Sequence, residues 1–565
     1  MSLYGSIRMA GNTLQANQIA LQVVGQNIAN ANTPGYIREE VNLLPGPTQR
    51  VGGLLLGMGV NVQSVVQKID HFLEERLRGS VSDKTGAETL EQTYTQLEGL
   101  INELGDTDLS SSLNTFFNSI SEILNQPESV SVRNLATLQG TTLAQNISRL
   151  AQRVTEIRAD LNRRVQDVGD QINRLTEEIS TLNVRISEVE GGDVSNSDAV
   201  GLRDQRQNAL EELAKLIDLR VEEQPSGGVT VYSGGDFLVY EGTQRQVKVV
   251  MKPDRGMPAA EIQLAETSSP LEVRSGELHG LIQSRDEVLG GFLDKLDDFA
   301  RTLSFQFNRV FSSGQGLKGY DSLTSEAAVA DKTAPLNAAG LTYQPVNGSF
   351  QIMVRNRRTG ITDTRDIRVD LNGMGQQTSL EDLRKALNDV DGISASLTPE
   401  GWLKIQSDSP ELDFSFAQDT SGILAALGIN TFFTGTSALT LGVNQAIRDD
   451  PGKFAASRGK VASDTQNAVE LANLVDKPVD SHNGDSLTVI YNRIMNEAAQ
   501  GSAIARSVAE GANTFEQTLR AQKLSTSGVS LDEEAVKLIA YQRAFQASAR
   551  YISVVSDLFD VLTKI

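Results

Sequence analysis

Apolar residues recur along this chain in long stretches at helical spacing. Near the carboxy end, Leu531, Leu538, Tyr541, Phe545, Ser548, Ile552, Val555, Phe559 and Leu562 alternate in steps of three and four once the first heptad is passed. That is the seam of a coiled coil. Ser530 and Glu533 precede it in capping-box spacing, and Asp532 and Glu534 add carboxylates where the helix dipole favours them. At the other end, Leu3, Ile7, Ala10, Leu14, Asn17, Leu21, Val24 and Ile28 keep the same alternation. Neither helix has a core of its own. Two arrangements are open: the ends bury their seams against each other, or each packs as a surface helix on a separate core.

Between the ends the period changes several times. Residues 37 to 66 read as extended, with Gly52, Gly53, Gly57 and Gly59 marking turns and hairpin packing. A helix start follows at Ile69–Arg78. From Leu143 to Val189 every apolar step is three or four, with a stutter at Val165, which predicts a helical rod of roughly 70 Å. Gly191-Gly192-Asp193 ends it, and a second helix, Leu202 to Ile217, runs back. Period two appears at Val229, Val231 and Phe237–Tyr240, predicting hairpins. Helix returns from Gly276 to Phe311, through Leu278, Ile282, Leu289, Phe292, Leu296 and Phe299. Residues 320 to 442 form a Thr-, Ser- and Gly-rich module of short strands, with Ser379 capping a helix and Trp402 expected on a strand face. A last seam runs through Leu487, Ile490, Ile494, Gly501, Ile504, Val508, Phe515 and Leu519 to a flexible joint at Ser525–Gly528.

The polar face of the first helix changes the picture. Arg8 is the only charge before Arg38, and the face away from the seam carries Asn12, Gln15, Gln18, Gln22, Gln26, Asn27 and Asn30. Neutral amides suit a face that packs on other protein, where an unpaired charge is costly to bury. The helix ends in Ala29-Asn30-Ala31-Asn32-Thr33-Pro34-Gly35-Tyr36, with Pro34 and Gly35 at the centre of a type II turn. This octapeptide resembles the amino-terminal ANxxTPGY signature of the flagellar rod, hook and hook-associated proteins. Leu531-Asp532-Glu533-Glu534 and Ala540–Ala547 resemble the matching carboxy-terminal signature. Further stretches are similar to elements of the hook-associated branch: Ile69–Arg78, Leu202–Arg206, Gly276–Ile282 with Arg285-Asp286, Asp419–Phe433 and Asn467–Leu474.

Composition limits the chemistry. A net charge of −21 with no offsetting basic cluster argues against nucleic acid and anionic membrane surfaces. The chain has no cysteine, so disulfides, thiolate zinc sites and a cysteine nucleophile are excluded. No apolar run approaches the ~18 residues of a membrane helix, and the amino end lacks the cationic start of a secretory signal. His71, His279 and His482 have no ligand-spaced neighbours. Gly314-Gln315-Gly316-Leu317-Lys318-Gly319 matches a dinucleotide fingerprint only in letters, because a helix precedes it and a turn-rich segment follows. Arg203, Asp204 and Arg206 read as a solvated, salt-bridged helix face. No catalytic, cofactor or metal constellation stands out, and no cofactor is expected.

The expected fold is mainly α with β insertions: a terminal coiled coil, a long helical bundle rod and an outward β-rich inserted domain. The expected domains are 1–60 with 526–565, then 61–319 with 443–525 including hairpins at 219–275, then 320–442. The resemblance implies a structural axial protein of the bacterial flagellum standing where hook meets filament. Hook or distal-rod membership, or an axial protein with an enzymatic insertion, are the alternatives. It further implies export through the flagellar type III channel without a cleaved signal. Implied partners are other copies of the chain, the hook protein, a second junction protein, and an export chaperone on the carboxy-terminal helix. By the same resemblance, the assembly residues are the two seams and the turn: Leu3, Ile7, Leu14, Leu21, Val24, Ile28, Asn30, Asn32, Thr33, Pro34, Gly35, Tyr36, Leu538, Tyr541, Phe545, Ile552, Val555, Phe559 and Leu562.

Overall fold

The computed structural model describes residues 3–51, 53–102, 109–191, 197–459 and 464–563. The side chains of Leu3, Val51, Asn102 and Leu562 lie outside that description, as do Gly52, Gly192 and Asp193. In chain order, helix α1 (Leu3–Ala29) leads to strands β1 (Glu39–Pro45), β2 (Thr48–Val51), β3 (Leu54–Gly57) and β4 (Val60–Gln67). Helices α2 (His71–Asn102), α3 (Leu109–Asn125), α4 (Val130–Glu190) and α5 (Val200–Leu216) follow. Then come β5 (Arg220–Glu223), β6 (Val229–Ser233), β7 (Asp236–Tyr240), β8 (Thr243–Gln244), β9 (Val247–Asp254) and β10 (Met257–Leu264). Helices α6 (Gly276–Gln283) and α7 (Gly290–Phe311) are joined by a π-helical turn, Ser284–Leu289, where one unbroken helix was expected. The module holds β11 (Ser322–Thr324), β12 (Gly348–Asn356), β13 (Thr362–Val369), α8 (Leu380–Asn388), β14 (Ile393–Leu397), β15 (Leu403–Ser407), β16 (Leu412–Ala417) and α9 (Ile423–Leu427). Short β17 (Phe433–Thr434), β18 (Gly442–Val443), α10 (Gln445–Asp449) and α11 (Gln466–Ala472) precede the long α12 (Leu487–Ser527) and α13 (Leu531–Thr563).

The chain divides into two compact units, one of residues 1–93, 159–285 and 503–565, the other of residues 94–158 and 286–502. In the first, β1 pairs with β4 and β2 with β3, while β5 to β8 form a four-stranded antiparallel sheet and β9–β10 a hairpin. Leu161, Val165, Val168, Ile172, Ile179, Leu182 and Ile186 of the α4 seam are buried and Leu175 is half-buried, and this stretch meets strands β6, β9 and β10. Gly169 lies against Val249 and Ile262, and three asparagines of α4 reach the strand edges. Asn162 accepts from Ala260 N, Asn173 from Val247 N and Asn183 from Val229 N, at 2.6, 2.8 and 3.0 Å. Helical periodicity reveals which face is buried and not what buries it.

In the second unit, Phe116, Phe307, Phe311, Phe432, Phe433 and Phe454 pack ring against ring at 4.9 to 6.0 Å. A Cβ at Gly140 of α4 would stand 2.6 Å from Phe432, so the helix touches the cluster through a residue with no side chain. The 320–442 module has a core of its own, including Leu336, Phe350, Leu383, Ile405, Phe414 and Phe416. Ser379 caps α8 through a capping box with Asp382, as its spacing predicts. Trp402 departs from expectation: it is 40% exposed just before β15. The glycines of the GxGxxG run meet backbone at close range. A Cβ on Gly316 would lie 2.6 Å from Gly452 O, and one on Gly319 2.7 Å from Phe414 O.

Candidate functional site

Within the first unit, α1 packs lengthwise against α13 and also against β1 and β4. The centre of its buried face holds small and polar residues: Ser6, Ala10, Ala16, Asn17, Ala20, Val23, Val24 and Asn27. Of the expected seam, Ala10, Asn17 and Val24 are buried, while Ile7, Leu14, Leu21 and Ile28 lie half-buried along the edge. On α13, Leu538, Tyr541, Phe545 and Ile552 turn inward half-buried, and Val555 is buried at 5% exposure. Phe559 is 40% exposed. The side chains of Leu3 and Leu562 fall outside the described residues.

The turn after α1 closes as its residues dictate. Tyr36 N donates to Thr33 O at 3.2 Å, and Gly35 has φ +76, the left-handed value its place in a type II turn requires. Asn30 caps the helix end, with Nδ2 to Gln26 O at 3.0 Å and its Oδ1 accepting from Thr33 Oγ1 at 3.2 Å. Asn32, Thr33, Pro34 and Gly35 are exposed, whereas Tyr36 folds back and donates its hydroxyl to Asn27 Oδ1 at 2.8 Å. Burial, with Glu39 and Asp204 nearby, raises the Tyr36 pKa well above the ordinary phenol value.

That fold-back starts a polar clasp between residues about 500 positions apart in the chain. Asn27 accepts from Glu39 N at 2.9 Å and donates to Glu39 O at 3.0 Å and to Glu534 Oε2 at 3.1 Å. Arg38 grips Glu534 Oε1 through Nε at 2.9 Å and NH2 at 2.6 Å, and Glu533 Oε2 through NH1 at 2.8 Å. Its backbone N–H donates to Ser527 O, the last residue of α12, at 3.0 Å. Glu534 is fully buried and Arg38 nearly so. Buried ions persist only when paired and hydrogen-bonded, and these are both. Ser530 Oγ accepts from Glu533 N at 3.5 Å. The Glu533 carboxylate that would complete the box goes instead to Arg38. The expected flexible joint is shorter than predicted, since α12 runs through Ser527 and breaks at Gly528–Ser530.

Helix α5 supports the clasp, and here the solvated-face reading of Arg203, Asp204 and Arg206 is overturned. Arg206 is buried and donates to Asn183 Oδ1 at 3.0 Å and Gly227 O at 2.7 Å. Arg203 forks onto Glu190 with two bonds of 2.7 Å. Burial pushes the Asp204 carboxyl up to about 7, against the lowering pull of the Ile37 amide and Gln67. The residues look like an exposed ion-pair face only because the elements that cover them come from elsewhere in the chain. Beside them Lys523 of α12 bonds the buried Glu74 of α2 at 2.9 Å. The α12 seam also shifts: Ala505, Ala509, Glu516 and Leu519 face inward, while Ile504, Val508 and Phe515 are half exposed. Sequence reasoning missed Asn27, Arg38, Glu39 and Glu534 as a cluster. The available signal was Arg38 itself, the first charge after Arg8.

Three family models match the chain. Residues 7–36 match the flagella basal body rod protein model, residues 520–565 the flagellar basal body rod FlgEFG protein C-terminal model, and residues 94–323 the flagellar hook-associated protein FlgK helical domain. Paired ends of rod type thus define the class, the axial proteins of the flagellum. Within it, the similarity runs the full length of proteins called flagellar hook-associated protein 1. That of Bacillus subtilis is 24% identical over 99% of this chain and 97% of its own, and that of Salmonella typhimurium 25% over 99% of each. That of Escherichia coli K12 is 23% identical over 99% of each. A solved structure, "the flagellar hook junction protein FlgK from Burkholderia pseudomallei", is similar in fold, with a TM-score of 0.50 and 15% identity, covering 80% of this chain and all of the other. Over its full length the chain is thus similar to the flagellar hook-associated protein 1 family.

Proposed function

We propose that the chain is a structural axial component of the bacterial flagellum at the junction of hook and filament, assembling with copies of itself between hook protein and a second junction protein. The observation that carries this reading is the clasp that holds both chain ends as one part, in a chain whose 94–323 stretch matches the hook-associated helical domain. The rod-type models match the two ends alone, so the middle of the chain favours the junction over the rod or hook. The role is mechanical and not catalytic. Export proceeds through the flagellar type III channel, with a chaperone holding the carboxy-terminal helix beforehand. The division into 1–60 with 526–565, 61–319 with 443–525, and 320–442 is the working domain scheme, the first part forming the assembly core.

Assembly couples to ordering. The interface between α1 and α13 is rich in alanine, serine and asparagine, and most of the α13 seam is only half-buried. So thin an apolar contact contributes little against the entropy of ordering two long helices. Docking beside other copies supplies the rest, with seam residues holding the pair and the amide face of α1 meeting neighbours. Amide hydrogen exchange on the soluble monomer is therefore expected to be fast in residues 1 to about 45 and 530 to 565; strong protection at both ends contradicts it. The functional test is deletion of the gene. Cells are expected to build hooks and shed filament subunits into the medium, and normal filaments would refute the assignment.

A further inference from the structure

A cavity of about 400 Å³ lies in the first unit between α2, α5 and strands β5 and β6, apart from the α1–α13 seam. At about 30 Å³ per water it has room for roughly a dozen waters, so it is a chamber and not a packing defect. Three arginines line it, Arg78 of α2 with Arg203 and Arg206 of α5, and Arg78 and Arg206 are more than nine-tenths buried. Arg78 Nε has no hydrogen-bond partner. Arg206 places both its bonds, to Asn183 Oδ1 and Gly227 O, on the single nitrogen NH1. A buried guanidinium with donors left open is costly, and a fork of parallel N–H groups fits an acceptor with two oxygens.

Of the carboxylates that line it, Glu75 is exposed and the other two are engaged. Glu74 is held by Lys523 at 2.9 Å and by Gln207, and Glu223 by Arg203 at 2.7 Å. Burial lowers the pKa of Arg78, outweighing Glu74, Glu75 and Glu211 nearby, and that of Arg206 to about 10 with the help of Arg203 and against Glu223 and Glu190. The arrangement comes from local sequence. Arg203, Arg206, Gln207 and Leu210 share one face of α5 at spacings of three and four, and α2 sets Glu74 and Arg78 four apart beside them.

We propose that this cavity is a binding site for a small oxyanion, a phosphate or a carboxylate, held by Arg78 and Arg206. The oxyanion comes either free in solution or on an acidic side chain of another copy of the chain. The test uses the full-length protein, far below any assembling concentration, titrated calorimetrically with sodium phosphate, sodium acetate and sodium chloride at matched ionic strength. Saturable binding of phosphate or acetate but not chloride, weakened at least tenfold by Arg78→Lys, is expected for a free anion. If the oxyanion is a neighbour's carboxylate, the dilute protein self-associates on concentration, phosphate competes the association away, and Arg78→Lys abolishes it. Arg206→Lys serves as the second variant should Arg78→Lys fail to fold by circular dichroism. Absence of both saturable binding and phosphate-sensitive association overturns the proposal and leaves the cavity to water.

Discussion

At the scale of single residues, the clasp concentrates its cost in Glu534. Its carboxylate is fully buried and accepts from Arg38 and Asn27 at once. Glu534→Ala leaves two buried donors without their acceptor, and removing one partner of a buried pair costs roughly 3–5 kcal/mol. Glu533 still holds Arg38 at 2.8 Å, so the lower end of that range is expected. Urea-driven disassembly and unfolding of the assembled protein, in which both ends are ordered, measures it. Asp204 gives a pH dependence of opposite sign to the usual carboxylate. Its folded pKa, about 7, lies above the ordinary carboxyl value of about 3.9. The unfolded state therefore binds fewer protons between those values, and its contribution to stability, full below about 4, is lost as pH rises through 7. Asp204→Asn is expected to flatten the stability profile between pH 4 and 7. An unchanged slope would show that another group carries it. Gly35 is simpler: at φ +76, Gly35→Ala is expected to destabilise the turn by about 1–2 kcal/mol, read from the urea midpoint.

At the scale of elements, one device recurs that no period reveals. An asparagine on a helix pairs both the N–H and the C=O of a single residue on a neighbouring segment. Asn27 does this with Glu39, Asn173 with Val247, Asn183 with Val229, Asn308 with Phe433 and Asn388 with Ala395. Each closes backbone groups that a strand edge or turn would leave open. Asn183 does the most, since Glu241 O at 2.7 Å and Arg206 also depend on it. Asn183→Leu is expected to cost about 2–4 kcal/mol in the urea midpoint, from several stranded buried groups and not from lost volume. These asparagines also mark where the sequence stopped being legible. The helices, hairpins and the turn at Pro34-Gly35 follow local rules, and α4 kept nearly all its expected buried face. What covers that face, and that Arg38 finds Glu534, depends on contacts 70 to 500 residues apart, which spacing does not encode. In α12 the same limit misplaces the seam, because alanines can face inward as readily as Ile504, Val508 and Phe515, and close helix approach favours the smaller residue.

For the molecule as a whole, α13 carries two apolar faces with different fates. Val555 is 5% exposed against α1, while next to it Val554 and Leu558 are each 52% exposed, with Val536 at 68% and Ile539 at 50% along the same helix. A monomer gains nothing from so much apolar side chain in water, and exposed apolar surface on this scale marks contact with other protein. If the helix pair orders fully only beside other copies, the two faces separate cleanly by mutation. Val554→Glu with Leu558→Glu leaves the intramolecular seam intact, so the monomer's circular dichroism and unfolding midpoint are expected to stay within about 0.5 kcal/mol of the parent, as for surface substitutions generally. Filament formation in cells carrying that double variant is expected to fail. Val555→Glu puts a charge into the seam itself and should loosen the pairing of the ends before any assembly occurs. Loss of monomer stability in the double variant, or normal filaments from it, would show that the outer face of α13 serves the fold of one chain and not the joining of many.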